Sequence, residues 1–168
     1  MFWKFIIIII ASIVAGILVT LILKYIDYSR KKDRISFKKA FSLAKLPVAT
    51  FFVEDKNTHQ QIPINFLLDS GSTDNIINAK FIEKINFSDL NSSVDTFGVD
   101  GVKSTNNKIS FKFYHKNKEY CEEFTAKDTS NVFDYIENVT TVKIDGILGS
   151  CFFKKYKYVL DYHMFSMY

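Results

Sequence analysis

"FLLDSGSTDNII", Phe66 to Ile77, decides how this chain is read. Three apolar residues run straight into Asp69, then Ser70 and Gly71, and the stretch returns to paired isoleucines. A solvated turn needs no apolar flank, and a core strand avoids a carboxylate because burying a charge is costly. An apolar strand that stops at Asp-Ser-Gly instead sets a carboxyl at the mouth of a β core. Gly71 permits a sharp turn and a close approach, and its backbone N–H can point at the carboxylate. Ser70 can donate a hydrogen bond that fixes the loop. Ser72 stands beside them, and its hydroxyl could donate to a carboxylate. The bland alternative is a plain β-turn, which uses these same residue types.

The flanks of the motif read as short strands. "VATFFV" (48–53) and "QIPINFLL" (61–68) are two strands joined by the turn "EDKNTH". "AKFIEKI" (79–85) has helical spacing. "KISFKFYH" (108–115) alternates apolar and polar residues, as a half-buried strand should. A turn at "NK" returns it to "EYCEEFTA" (119–126). "VFDYIENV" (132–139) reads as a short helix, and "YKYVLDY" with "MFSMY" as a closing hairpin. Short strands at this spacing, with one or two short helices, predict a closed all-β domain over 41–168.

The remaining features bound the function. The chain has 168 residues and a formal net charge of +4. Six Lys/Arg against two Asp fall in residues 1–36, so residues 37–168 are neutral, with sixteen of each sign. That excludes the basic face of a nucleic-acid binder. Cys121 and Cys151 read as small core residues, with a single disulfide left open. The three histidines show no metal-ligand spacing, so neither metal nor cofactor is expected.

Residues 5–23, "FIIIIIASIVAGILVTLIL", carry no charge. About 20 apolar residues span a bilayer core, and no signal-peptidase site follows the run. The expectation is therefore a single transmembrane helix in 1–24, a basic stalk over 25–40, and a membrane location with the lipid bilayer as a partner. Lys24, Arg30, Lys31, Lys32 and Arg34 outnumber Lys4, so the positive-inside rule favours a cytoplasmic domain, the extracytoplasmic side staying open. Small residues four apart (Ala11 and Ala15; Ser12, Gly16 and Thr20) fit helix dimerisation as well as ordinary membrane-helix composition.

One carboxyl at a core mouth does little by itself. Two facing each other share a proton, one serving as base and the other as acid. Such a pair activates water against an amide carbonyl and protonates the leaving nitrogen. Here the sequence resembles the retropepsin-like aspartic proteases, the single-lobe relatives of the pepsins. "FLLDSGST" is similar to their apolar-apolar-Asp-Ser/Thr-Gly signature. "FGVDGV" (97–102) sits where a glycine-bearing flap hairpin would be, and "DGILGSCFF" (145–153) resembles the apolar-apolar-Gly element of each lobe. The resemblance covers roughly 47–168 and implies a closed retropepsin-like barrel lobe.

By position, the resemblance implies Asp69 as the catalytic aspartate, with Ser70, Gly71 and Ser72 supporting its loop. It implies Phe97, Gly98, Val99, Asp100 and Gly101 as a flap over a peptide substrate, and Ile147, Leu148 and Gly149 as the structural element beneath. The chain departs from the two-lobed pattern, because it has no second Asp-Ser/Thr-Gly: Asp100-Gly101 and Asp145-Gly146 lack the hydroxyl residue. The dyad then requires a homodimer with Asp69 contributed by each copy. The expected function is a membrane-anchored aspartic endopeptidase. The alternative is a non-catalytic binding or assembly domain of the same fold, tethered to the membrane.

Overall fold

A computed structural model describes residues 2–32, 34–97 and 103–168 of the chain. Residues 1–34, with Tyr168, form one unit, and Ile35–Met167 a second. The first is a single helix, α1 (Phe2–Lys32). Among the described residues no helix is long and apolar enough to cross a membrane. This corrects the expected transmembrane helix and, with it, the single-pass membrane location. The expectation rested on hydropathy over 5–23. Of that run the side chains of 5 and 7–11 lie outside the described residues. The described stretch from Ser12 to Leu23 rises only about 18 Å as a helix, against a hydrocarbon core of about 30 Å. The helix then continues through the charged segment to Lys32 rather than ending at the apolar boundary.

The second unit begins with β1 (Ile35–Ser36) and α2 (Lys38–Ala44). Ile35 and Phe37 are buried in the main core, so the folded unit starts inside the segment read as a stalk. There follow β2 (Val48–Glu54), β3 (Gln61–Leu68), β4 (Ile76–Asn78), α3 (Ala79–Ile82), β5 (Ser88–Phe97), β6 (Lys103–His115), β7 (Lys118–Lys127) and α4 (Ser130–Thr140). The chain closes with β8 (Gly146–Leu148), α5 (Ser150–Tyr156), β9 (Leu160–Asp161) and β10 (Ser166–Met167).

Six strands close a barrel in the order β2-β3-β8-β4-β7-β6, and β6 returns to β2 at Phe52 and Tyr114. β5 extends the sheet beyond β6, pairing Ser88 with Ser110 through Phe97 with Lys103 across a bulge. The molecule is thus mostly β, but among the described residues the second unit carries four helices, α2 to α5, in place of the one or two of the all-β expectation. α2 and α5 are only seven residues each, too short for helical periodicity to register against neighbouring apolar runs.

Alternation along the strands explains the core. On β2 the residues Ala49, Phe51 and Val53 point inward, and on β3 Ile64, Phe66 and Leu68 do. Aromatic rings fill the interior: Phe111 stacks on Phe124 at 4.4 Å, and Phe113 on Tyr120 at 5.2 Å. α5 buries Phe152 and Phe153 against this cluster. A second cluster of Val48, Phe133, Val142 and Ile144 lies under α4. β1, β10 and β9 form a separate small sheet.

Two expectations about cysteine are corrected here. Cys121 and Cys151 are both free and exposed, so they are neither core residues nor a disulfide. Cys121 lies on the outward side of β7 between the buried Tyr120 and Glu122, and Cys151 turns away from the buried face of α5.

Candidate active site

Asp69 is the first residue after β3, whose last residue, Leu68, is 2% exposed. Asp69 as a residue is half-buried. Its Oδ1 accepts the Gly71 N–H at 2.9 Å, and its backbone C=O accepts the Ser72 N–H at 3.2 Å. Its own N–H donates to Leu148 O at 3.0 Å. The chain therefore turns directly around the carboxylate, and one oxygen is held by a main-chain donor. A Cβ on Gly71 would stand 3.2 Å from that oxygen. Ser70 and Gly71 are exposed and Ser72 is half-buried.

β8 explains how the loop is held. It lies between β3, which leads into the loop, and β4, which leads out. Phe66, Leu67 and Leu68 run parallel to Gly146, Ile147 and Leu148, while Ile76 and Ile77 run antiparallel to Ile147 and Gly146. The residues after β8 close the arrangement. Ser150 N–H donates to Ser72 O at 2.7 Å, and Gly149 N–H donates to Asn75 Oδ1 at 3.0 Å. A Cβ on Gly149 would meet Asp74 O at 2.4 Å, and one on Gly146 would meet Ile76 O at 2.5 Å. Glycine is required at both positions for this close approach.

The Ser72 hydroxyl donates to Asp74 O at 2.8 Å. The expectation of a bond from it to a carboxylate is therefore corrected: the side chain braces the far half of its own loop. Of the flap residues, Phe97 ends β5 opposite Lys103, and its side chain lies outside the described residues, as do Gly98, Val99, Asp100 and Gly101 entirely. The arms below them are pinned by Lys103 Nζ to Asp95 Oδ2 at 2.8 Å and Thr105 Oγ1 to Asp95 Oδ1 at 2.8 Å. These two donors hold the Asp95 carboxyl below its ordinary value.

Asp145 is not a second member of the site. It is 4% exposed and already occupied: Oδ2 accepts the Asn65 N–H at 2.9 Å and Oδ1 faces Lys143 Nζ at 3.1 Å. Among the described residues no three His, Cys, Asp or Glu are grouped to hold a metal ion.

No family model matches the chain, and no curated protein matches it.

Two buried polar residues, Asn75 and Glu122, are not foreseen from the sequence. Asn75 is 3% exposed and joins the loop to β7 and to the turn after β8. Its only sequence signal is a polar residue abutting Ile76, which does not say which way the side chain points. Glu122 is 7% exposed and is held by Lys155 Nζ at 2.5 Å and the Tyr156 hydroxyl at 2.7 Å. Burial, and then this bond to Glu122, push the Tyr156 hydroxyl up to about 12. The same carboxylate raises Lys155 above its ordinary value. A cavity of about 220 Å3 lies between this cluster and Asp74, Asn75 and Cys151; Asp69 is not among its lining residues.

Proposed function

We propose that the chain is an aspartic endopeptidase of the retropepsin-like kind, working as a homodimer with one Asp69 carboxyl from each copy. The observation that carries the reading is the arrangement β3-β8-β4 around the Asp-Ser-Gly loop. An apolar strand ends at a half-buried aspartate whose carboxyl oxygen is held by Gly71 N–H, above a glycine with no room for a side chain. A plain surface turn needs neither the threaded strand nor the close-packed glycine beneath.

Chemistry follows from pairing two such carboxyls. Sharing one proton, one is a carboxylate and the other an acid. The carboxylate takes a proton from water as the water oxygen bonds to the amide carbon, and the acid protonates the carbonyl oxygen. Proton transfer to the amide nitrogen then releases the amine as the C–N bond breaks, leaving a carboxylic acid product. A single copy supplies only half of this machinery.

The test is cleavage of a peptide library by the full chain and by its Asp69→Asn variant, over a range of protein concentrations. Cleavage is expected from the wild type alone, with specific activity rising as protein concentration drives dimer formation. Cleavage that persists in the variant sinks the assignment of Asp69. Absence of cleavage in both, with a dimer present, favours the binding and assembly role instead.

A further inference from the structure

We infer that Asn75 is the positioning residue of the Asp69 loop, an inference that rests on the reading of Asp69 as the working carboxyl. Asn75 is buried although Thr73 and Asp74 beside it are exposed. Its side chain works in two directions at once. Oδ1 accepts the Gly149 N–H at 3.0 Å, and Nδ2 donates to Glu123 O at 3.1 Å. Its backbone C=O accepts the Thr125 N–H at 2.9 Å. One residue therefore joins the end of the loop to β7 and to the turn between β8 and α5. The two side-chain partners fix the amide orientation, since an N–H requires the oxygen and a C=O requires the nitrogen.

Three consecutive residues, Leu148, Gly149 and Ser150, hold the loop at three points. Leu148 O takes the Asp69 N–H, and Ser150 N–H reaches Ser72 O. Those two bonds are backbone to backbone and survive any change of side chain. Of these three bonds only that of Gly149 depends on a side chain. The Ser150 hydroxyl adds a longer, exposed one, 3.4 Å to Thr73 O, so the buried Asn75 is the main point at which sequence controls the loop. The Asp74 and Ser72 carbonyls pack over Gly149 in the space a Cβ would need, and releasing the bond at Asn75 frees the loop to move away from β8, and the Asp69 carboxyl with it.

The amide needs both a donor and an acceptor. An ionised carboxylate offers only acceptors; a protonated carboxyl offers both. This separates positioning from mere packing. The full chain is compared with its Asn75→Ala and Asn75→Asp variants, each shown to be folded by circular dichroism. On a peptide that the wild type cleaves, Asn75→Ala is expected to lower kcat by about 100-fold with KM unchanged. For Asn75→Asp, kcat relative to wild type is expected to climb as pH falls and the new carboxyl gains its proton.

Backbone amide spectra of the same chains give a readout that needs no activity. The Gly71 N–H, bonded to the Asp69 carboxyl, is expected to shift in Asn75→Ala. In Asn75→Asp it is expected to return toward the wild-type position, compared at each pH, as pH falls. A Gly71 amide unmoved in both variants overturns the inference, as does wild-type kcat in a folded Asn75→Ala chain. A moving Gly71 amide in a chain that cleaves nothing overturns the reading of Asp69 as a working carboxyl and leaves the role of Asn75 in holding the loop standing.

Discussion

Replacing Gly149 by alanine tests packing without touching conformation. Gly149 sits at φ −89° and ψ −176°, extended backbone open to any residue. The cost is one of space. The new Cβ would stand 2.4 Å from Asp74 O, 2.8 Å from Asp74 C and 2.9 Å from Ser72 O. Non-bonded carbon contacts are comfortable near 3.5 Å, so the Asp74 carbonyl must retreat by roughly 1 Å. It is not free to do so. The loop is bonded to this segment at Asp69, Ser72 and Asn75. Overpacking costs about 1–3 kcal/mol, and a strained or lost hydrogen bond adds about 0.5–1.5 kcal/mol. The expected destabilisation is about 2–4 kcal/mol. With m of about 2 kcal/mol per M in urea, the middle of the usual range, the unfolding midpoint should fall by about 1–2 M. Urea unfolding of the full chain, followed by circular dichroism and fitted with m free, measures it. Gly71→Ala is the control: its nearest neighbour, Asp69 Oδ1 at 3.2 Å, belongs to a side chain that can turn aside. That variant should lose under about 1 kcal/mol. A loss below about 0.5 kcal/mol for Gly149→Ala would show that the loop does not rest on β8 as described.

Three further outcomes are expected. The folded chain keeps the Tyr156 proton up to about 12, where an unfolded tyrosine releases it near 10. That contribution to stability is complete below about pH 10 and lost as pH rises toward 12. Tyr156→Phe should therefore flatten the fall of the urea midpoint across that window, and an unchanged slope would count against the burial of the hydroxyl and its bond to Glu122. Thr141 ends α4 in the left-handed region at φ 62°, where a β-branched residue is strained. Thr141→Gly should raise stability by about 1 kcal/mol, and a drop in the thermal midpoint would refute that. Cys121 and Cys151 are both exposed, and burial pushes the Cys151 thiol up. A thiol reagent near pH 8 should label both in the native chain, Cys151 more slowly; protection of either until denaturant is added would contradict its placement.

Strands that bury one face were legible, and strands that bury none were not. Gln61–Leu68 could be bounded from its alternation because Ile64, Phe66 and Leu68 all enter the core. Alternation predicts β6 from Lys108, but the strand begins at Lys103. Its first residues pair only with β5, in an arm outside the barrel, and "KSTNN" has no apolar face to betray it. β5 itself escaped reading for the same reason. The N-terminal run shows the opposite limit. Hydropathy speaks to the composition of 5–23 and not to where a helix starts, stops or packs, and α1 runs on to Lys32 regardless of it.

Within the candidate site, residues whose type is dictated by the backbone were legible, and residues defined by distant partners were not. Gly149 can be named from sequence because no other residue fits its space, and Gly71 because a sharp turn around the carboxyl favours glycine. Glu122 shows why the rest is hidden. Alternation through "EYCEEFTA" puts it on the same face as Tyr120 and Phe124, that is, inward, where a lone carboxylate looks like an error in the pattern. Its partners, Lys155 and Tyr156, come from α5, 33 and 34 residues later. Asn75 has the same character: its partners Gly149 and Glu123 lie 74 and 48 residues away. Both residues become intelligible only once β8 and α5 are in place. A polar residue at a position that should be buried is thus better read as evidence for a missing partner than as evidence against burial.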